Sequence, residues 1–325
     1  MTVALPTSAD TARTIREEAP WARAWRRLRR RKGALVGLAV VLLFIALALL
    51  APWIAPYDPI ATSWGLVRKP PSWAHWFGTD EVGRDVLSRV IFGARASLSA
   101  GLVSVSIAVG AGVPLGLLAG LAPRSLFSRT VMVGSIFGFS LPNFWLGLML
   151  ILAFAVNLHV LPAGGRGETR DIFGIAWSLG TLDGLRHLIL PALTLAIYKG
   201  SLVIRLAYAG TREAMLQDFV RFARAKGLRP ARIVGVHVLK TVLIPVVTVL
   251  GLELGSMIAF AVVTETVFAW PGMGKLIIDS INHLDRPVIV AYLLITVTMF
   301  IFINLAVDIL YSVLDPRVRL ADVKG

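Results

Sequence analysis

The chain has 325 residues, 56% of them hydrophobic and 16% charged, and a formal net charge of +14. A typical soluble domain carries about 25% charged residues, so this chain holds more apolar surface than one water-soluble core can hide, and lipid is the solvent that suits the excess. The absence of cysteine excludes disulfides, thiolate metal sites and cysteine nucleophiles, and the five histidines (75, 159, 187, 237 and 283) show no metal-ligand spacing.

In chain order, residues 1–32 form a polar and then basic tail that ends in Trp21 to Lys32, a stretch suited to a lipid surface. An apolar run over 33–55 is long enough to cross a bilayer and longer than the core of a signal peptide. Residues 57–96 are a proline- and tryptophan-rich interlude. Within it, Gly78-Thr79-Asp80-Glu81 predicts a helix start with Thr79 as N-cap, followed by an amphipathic helix from Asp80 to Leu98. Five further apolar segments are expected near 97–122, 131–158, 187–206, 240–264 and 288–312, the second of them kinked at Ser140-Leu141-Pro142-Asn143. The sequence thus divides into a tail (1–32), a first span with an outer loop (33–96), a core (97–312) with an inner loop at 207–239, and a short tail (313–325). Gly112, Gly116 and Gly120, four residues apart, predict close helix packing.

The basic residues give the orientation. Nine of the 33 precede the first span (Arg13 to Lys32) and eight lie between Arg205 and Lys240. With the N-terminus inside, the inner segments hold 22 basic residues and the outer ones 10, which places both termini in the cytoplasm. Charge that flanks apolar segments in this way, with no base-stacking aromatic platform, argues against nucleic acid as a partner.

The most informative stretch is the inner loop. Met215, Phe219, Phe222 and Ala223 recur at helical spacing, and Gly227 followed by Pro230 marks a sharp helix stop. Pattern alone leaves two readings open: the helix docks into a groove on a partner protein, or it lies on lipid headgroups.

The run from Phe219 to Leu228, continuing to Pro245, resembles the cytoplasmic loop of the peptide/nickel/opine permeases of binding-protein-dependent ABC importers. Four other stretches agree: Phe77 to Arg89, Ser140 to Trp145, His187 to Ala192, and Thr264 to Gly274 together with Asp308 to Arg317. The resemblance implies an all-α permease subunit of the type I importer fold with six transmembrane helices in the bacterial inner membrane. It also implies a second permease subunit, two cytoplasmic ATPase subunits that carry ATP and Mg, and an external solute-binding protein. The residues Phe219, Val220, Arg221, Phe222, Ala223, Arg224, Ala225, Lys226 and Gly227 would form the coupling helix. Where the wider superfamily has a glutamate before paired alanines, this chain reads Arg221-Phe222-Ala223, so that glutamate's salt bridge does not carry over. The front of the chain resembles the second of two paired permeases and Ser140 to Gly165 the first; the larger features favour the second.

The chain has no Gly-x-x-x-x-Gly-Lys-Ser/Thr loop, so it is expected to bind no cofactor itself, and Gly272-Met273-Gly274-Lys275 reads as a turn. Lys199 and Glu253 fall roughly 16–18 Å from the outer ends of their spans, near mid-bilayer. A lone charge there costs at least about 2.5–3.5 kcal/mol, so the two either pair or line a solute path. Glu265 and Asp308, nearer the span ends where hydration is easier, are weaker path candidates. No catalytic constellation is visible. The competing reading is an ion-gradient-driven secondary transporter with Lys199, Glu253 and Asp308 as its relay.

Overall fold

The computed structural model describes residues 46, 50–172, 175–298 and 301; within these, the side chains at 172, 175, 176, 248 and 251–260 are not described. The architecture is helical. The helices are α1 (Val86–Leu121), α2 (Leu126–Ser140), α3 (Asn143–Asn157, its second half wound as a π-helix), α4 (Leu182–Leu216), α5 (Asp218–Ala225), α6 (Leu239–Val267), α7 (Met273–Asn282) and α8 (Arg286–Thr298). The turns at Pro230–Arg232 and Ile233–Val238 lead into α6. Among the described residues, the extended structure consists of β1 (Arg170–Ile172) paired antiparallel with β2 (Ile175–Trp177) in the loop between α3 and α4, and an isolated bridge between Thr79 and Asp85.

Among the described residues, three helices are long and apolar enough to cross a membrane, or four if the bent pair α2–α3 counts as one span. Most of the run at 33–55 and the end of the run at 288–312 lie outside the described residues.

Two sequence expectations change. The amphipathic helix from Asp80 and the following span are one 36-residue helix that starts at Val86. At 1.5 Å per residue it extends about 54 Å, well beyond a hydrocarbon core of about 30 Å, so its first turns need polar chemistry without being a separate element. Its N-cap is Asp85, whose carboxylate accepts from Ser88 N at 2.8 Å, and not Thr79, whose hydroxyl is taken up by Leu66 O and by Lys69 N. The predicted kink at Ser140–Asn143 is a break of 109°, with Leu141 and Pro142 extended.

The central pair is α1 against α4. Lipid tails are as apolar as leucine, so close van der Waals packing holds such helices together. Gly112, Gly116 and Gly120 provide it: a Cβ on Gly116 would lie 2.4 Å from Ile204 O, and one on Gly120 would lie 2.7 Å from Thr211 Cβ. At one end of the bundle Val113, Val203, Ala207, Val238, Val242 and Val246 form a core that continues onto α5. At the other, Val86 and Val90 pack with Met273, Ile277 and Val288.

Candidate coupling helix and membrane path

α4 ends at Leu216, and an extended Gln217 (ψ 151°) turns the chain into α5. Val220 and Ala223 of α5 are buried in the core of that end, with Ala214, Ile233 and Val238 around them. The opposite side carries Phe222, 62% exposed, and Phe219, 39% exposed. The stop is a Schellman motif, with Leu228 N donating to Ala223 O, Gly227 N donating to Arg224 O, and Gly227 at φ +74°. Leu228 packs back on the same core. The predicted coupling segment is therefore a short rigid knob, fixed on one side and presenting phenylalanines on the other. Lys226 lies over the Phe222 ring at 4.6 Å, and Arg221 is exposed beside Asp218.

Lys199 is 3% exposed on α4, with Nζ 5.4 Å from the Tyr198 ring centroid. Tyr198 stacks on Phe139 at 5.1 Å, and the Arg205 guanidinium lies 4.4 Å from the Phe139 ring. Two cations and two aromatic rings thus form a ladder beside the α2–α3 break. Glu253 is on α6 with its side chain outside the description, and Asp308 lies outside the described residues.

Glu265 is not hydrated as expected: it is 3% exposed and held by its own chain. Its carboxylate accepts from Ser97 Oγ (2.5 Å), Gly274 N (2.7 Å) and Lys275 N (3.2 Å). It therefore caps the start of α7 and ties it to α1. A Cβ on Gly272 would lie 2.2 Å from the Glu265 carboxyl carbon, so glycine is required for this approach. Trp270, fully buried, donates Nε1 to Ala96 O at 3.0 Å, and Met273 N donates to Ser97 Oγ at 2.9 Å. The segment read as a turn at Gly272–Lys275 is the N-terminus of α7, and its N–H groups are used by Glu265.

The same end holds a second knot. Asp80, fully buried, accepts from Val82 N (3.0 Å), Arg84 N (2.8 Å), Arg84 Nε (2.6 Å) and Arg89 Nη1. Asp285 Oδ2 accepts from Glu81 N at 2.8 Å, and Arg68 Nη2 donates to His283 O at 2.8 Å, so the 57–85 loop is bolted to α7 and α8.

Sequence reasoning missed two features. Asn143, 9% exposed at the helix break, has no hydrogen-bond partner for either amide atom; a polar residue beside Pro142 in an apolar run was the available signal. Arg95, 4% exposed on α1, lies 5.2 Å from the Trp177 ring and shares a small cleft with Arg166. Nothing in the sequence places Arg166 there, because only the β1–β2 hairpin folds that loop over α1.

Residues 112–320 match the family described as "Binding-protein-dependent transport system inner membrane component", and residues 19–71 match the "N-terminal TM domain of oligopeptide transport permease C". The chain is 42% identical over 236 residues to the di/tripeptide transport system permease protein DppB of Pseudomonas aeruginosa, covering 69% of this chain and 70% of that one. It is 35% identical over 240 residues to the dipeptide permease DppB of Escherichia coli (69% and 71% covered). It is 38% identical over 218 residues to the oligopeptide permease AppB of Bacillus subtilis (67% of each). A chain of the inward-facing MetNI methionine ABC transporter shares the fold, with TM-score 0.54 and 17% identity over 70% of this chain and 97% of that one. The split seen in the sequence thus recurs, with a C-type front on a core similar to B-named permeases. These matches decide against the secondary-transporter reading: the chain belongs to the family of binding-protein-dependent transport system inner membrane components.

Proposed function

We propose that this chain is the translocation subunit of an ATP-driven importer for di- and oligopeptides, with α5 as the element that receives the ATPase stroke. The observation that carries this reading is the geometry of α5. One face is locked into the core by Val220 and Ala223, its end is fixed by the Gly227 motif, and Phe222 stands exposed. A rigid knob with aromatic anchors suits a groove on a partner protein, because force applied to it passes directly into α4 and α6. Peptide as solute is supported by the transport activities for which these relatives are named.

In this reading ATP and Mg belong to two cytoplasmic ATPase subunits. A second permease subunit, different from this one, completes the path, and an external binding protein delivers solute. Both termini and α5 lie on the cytoplasmic side, as the basic-residue count requires, and the Asp80 and Glu265 knots lie at the outward end. Lys199, at mid-helix with the aromatic ladder, either pairs with Glu253 or lines the path together with the orphan amide of Asn143.

The test is co-purification from the native membrane with and without Phe219→Ala plus Phe222→Ala. A nucleotide-binding subunit is expected with the wild type and lost with the double variant, while the second permease stays bound. Absence of any ATPase from the wild-type preparation would refute the importer reading.

A further inference from the structure

The described end of the first apolar run is the helical turn Ala51–Ile54, with Ala51 fully buried. A run over 33–55 is just long enough to cross a bilayer, so this turn stands at the level where the chain leaves the hydrocarbon. Tyr57 follows it and donates its backbone N–H to Ser88 Oγ, on the first turn of α1, at 3.2 Å. The Tyr57 and His75 rings lie 4.6 Å apart, and His75 Nδ1 is 2.9 Å from Oδ1 of Asp85, the N-cap of α1. The turn at 72–76 is thereby held at the point where the first run and α1 come side by side. Its own bonds make it stiff: Ser72 N donates to His75 O at 2.8 Å, and His75 N donates to Ser72 Oγ at 3.1 Å. The segment that enters it is fixed by Lys69 N, which donates to Thr79 Oγ1 at 2.9 Å.

What this stiff turn presents is tryptophan. Trp73 is 97% exposed and Trp76 67%, and Trp53, on the turn that ends the apolar run, is 59% exposed. Trp73 and Trp76 lie outside every spanning helix, so contact with the hydrocarbon core does not account for them. Tryptophan favours the headgroup level, where its ring has apolar surroundings and its N–H polar ones. From Pro59 to Thr79 the charged residues are Arg68 and Lys69, with no acid among them, and both are exposed. A basic residue beside interfacial aromatics is the second half of a membrane-surface anchor.

We propose that this loop is a lipid-surface anchor, in which Trp53, Trp73 and Trp76 seat among the headgroups and Lys69 meets the phosphates. Through His75 and Asp85 the anchor fixes the height of the α1 head relative to the bilayer. It depends on neither the solute nor the ATPase partner, and the orientation of the chain decides only which leaflet is engaged.

The absence of cysteine lets one introduced residue report one place. Trp73→Cys carries a bimane label in the native complex, reconstituted in nanodiscs of phosphatidylethanolamine and phosphatidylglycerol. Lipid with a doxyl quencher near its headgroup is expected to lower the emission about 2-fold or more, with less quenching from the acyl terminus and little from iodide in the water. Adding Trp53→Ser and Trp76→Ser should raise iodide quenching about 2-fold or more; no change means that the label partitions by itself and overturns the anchor. Iodide quenching without headgroup quenching places the turn in water, and strongest quenching from the acyl terminus places it in hydrocarbon; either result refutes the proposal. Shielding from iodide that appears only when a solute-binding protein is added, without lipid quenching, assigns the tryptophans to protein docking and refutes it equally.

Discussion

Gly110 and Gly116 share α1 and are six residues apart, yet the structure predicts opposite effects for their replacement by alanine. At Gly116 an added Cβ meets Ile204 O at 2.4 Å and Ala207 Cβ at 2.7 Å; ordinary contact begins at 3.4 Å, so α1 and α4 must part locally by about 1.0 Å. A gap of that size forfeits a quarter to a half of the dispersion energy of each contact it opens, and overpacking of this kind costs about 1–3 kcal/mol. At Gly110 nothing lies within 4 Å, so alanine there should gain about 0.5–1 kcal/mol from the reduced entropy cost of a helical glycine. The two variants should therefore differ by roughly 1.5–4 kcal/mol, from about 10-fold to several hundred-fold in an unfolding equilibrium. Reversible unfolding of the purified subunit in mixed micelles, titrated with denaturing detergent, reads this difference. Equal midpoints for the two variants, or a Gly116→Ala midpoint at the wild-type value, would refute the close-packing argument.

The remaining predictions concern the knots and α5. Glu265→Ala leaves the Gly274 and Lys275 N–H groups and the Ser97 hydroxyl without their acceptor, at about 1–3 kcal/mol per buried group. Limited proteolysis should therefore cut faster between α6 and α7, and Glu265→Gln, which keeps an acceptor oxygen, should lie between alanine and wild type. Asp80→Asn removes the charge that holds Arg84 and Arg89, and breaking such a buried pair costs about 3–5 kcal/mol; trypsin cleavage in the 57–85 loop should rise while the ATPase retention proposed for α5 stays at the wild-type level. Gly227→Ala has open space around it, so its cost is backbone strain alone at φ +74°, about 1–2 kcal/mol. It should weaken ATPase retention less than the double phenylalanine variant, and equal loss in both would contradict the division of roles within α5.

Among the described residues, the approximate places of the apolar segments, the break at Pro142 and the α5 helix with its glycine stop were readable from sequence. Each depends on local chemistry: a run of apolar side chains, a missing N–H, a residue that tolerates positive φ. The close approach at Gly112, Gly116 and Gly120 was readable for the same reason, since small residues four apart leave a groove whatever fills it. Tertiary structure alone decided the rest. Thr79 and Asp85 are both chemically competent N-caps, and the choice fell to Asp85 because Thr79 is taken into the 57–85 loop by Leu66 and Lys69. Glu265 looked like a hydrated carboxylate near a span end, but the return of the chain through Gly272 and Gly274 wraps it in N–H donors and buries it. Arg95 and Arg166 are 71 positions apart, and no local rule brings two like charges together; the fold does so by laying a two-stranded hairpin across the head of α1. Sequence sets what each segment can do alone, while contacts between segments distant in the chain depend on which surfaces the packed helices leave within reach.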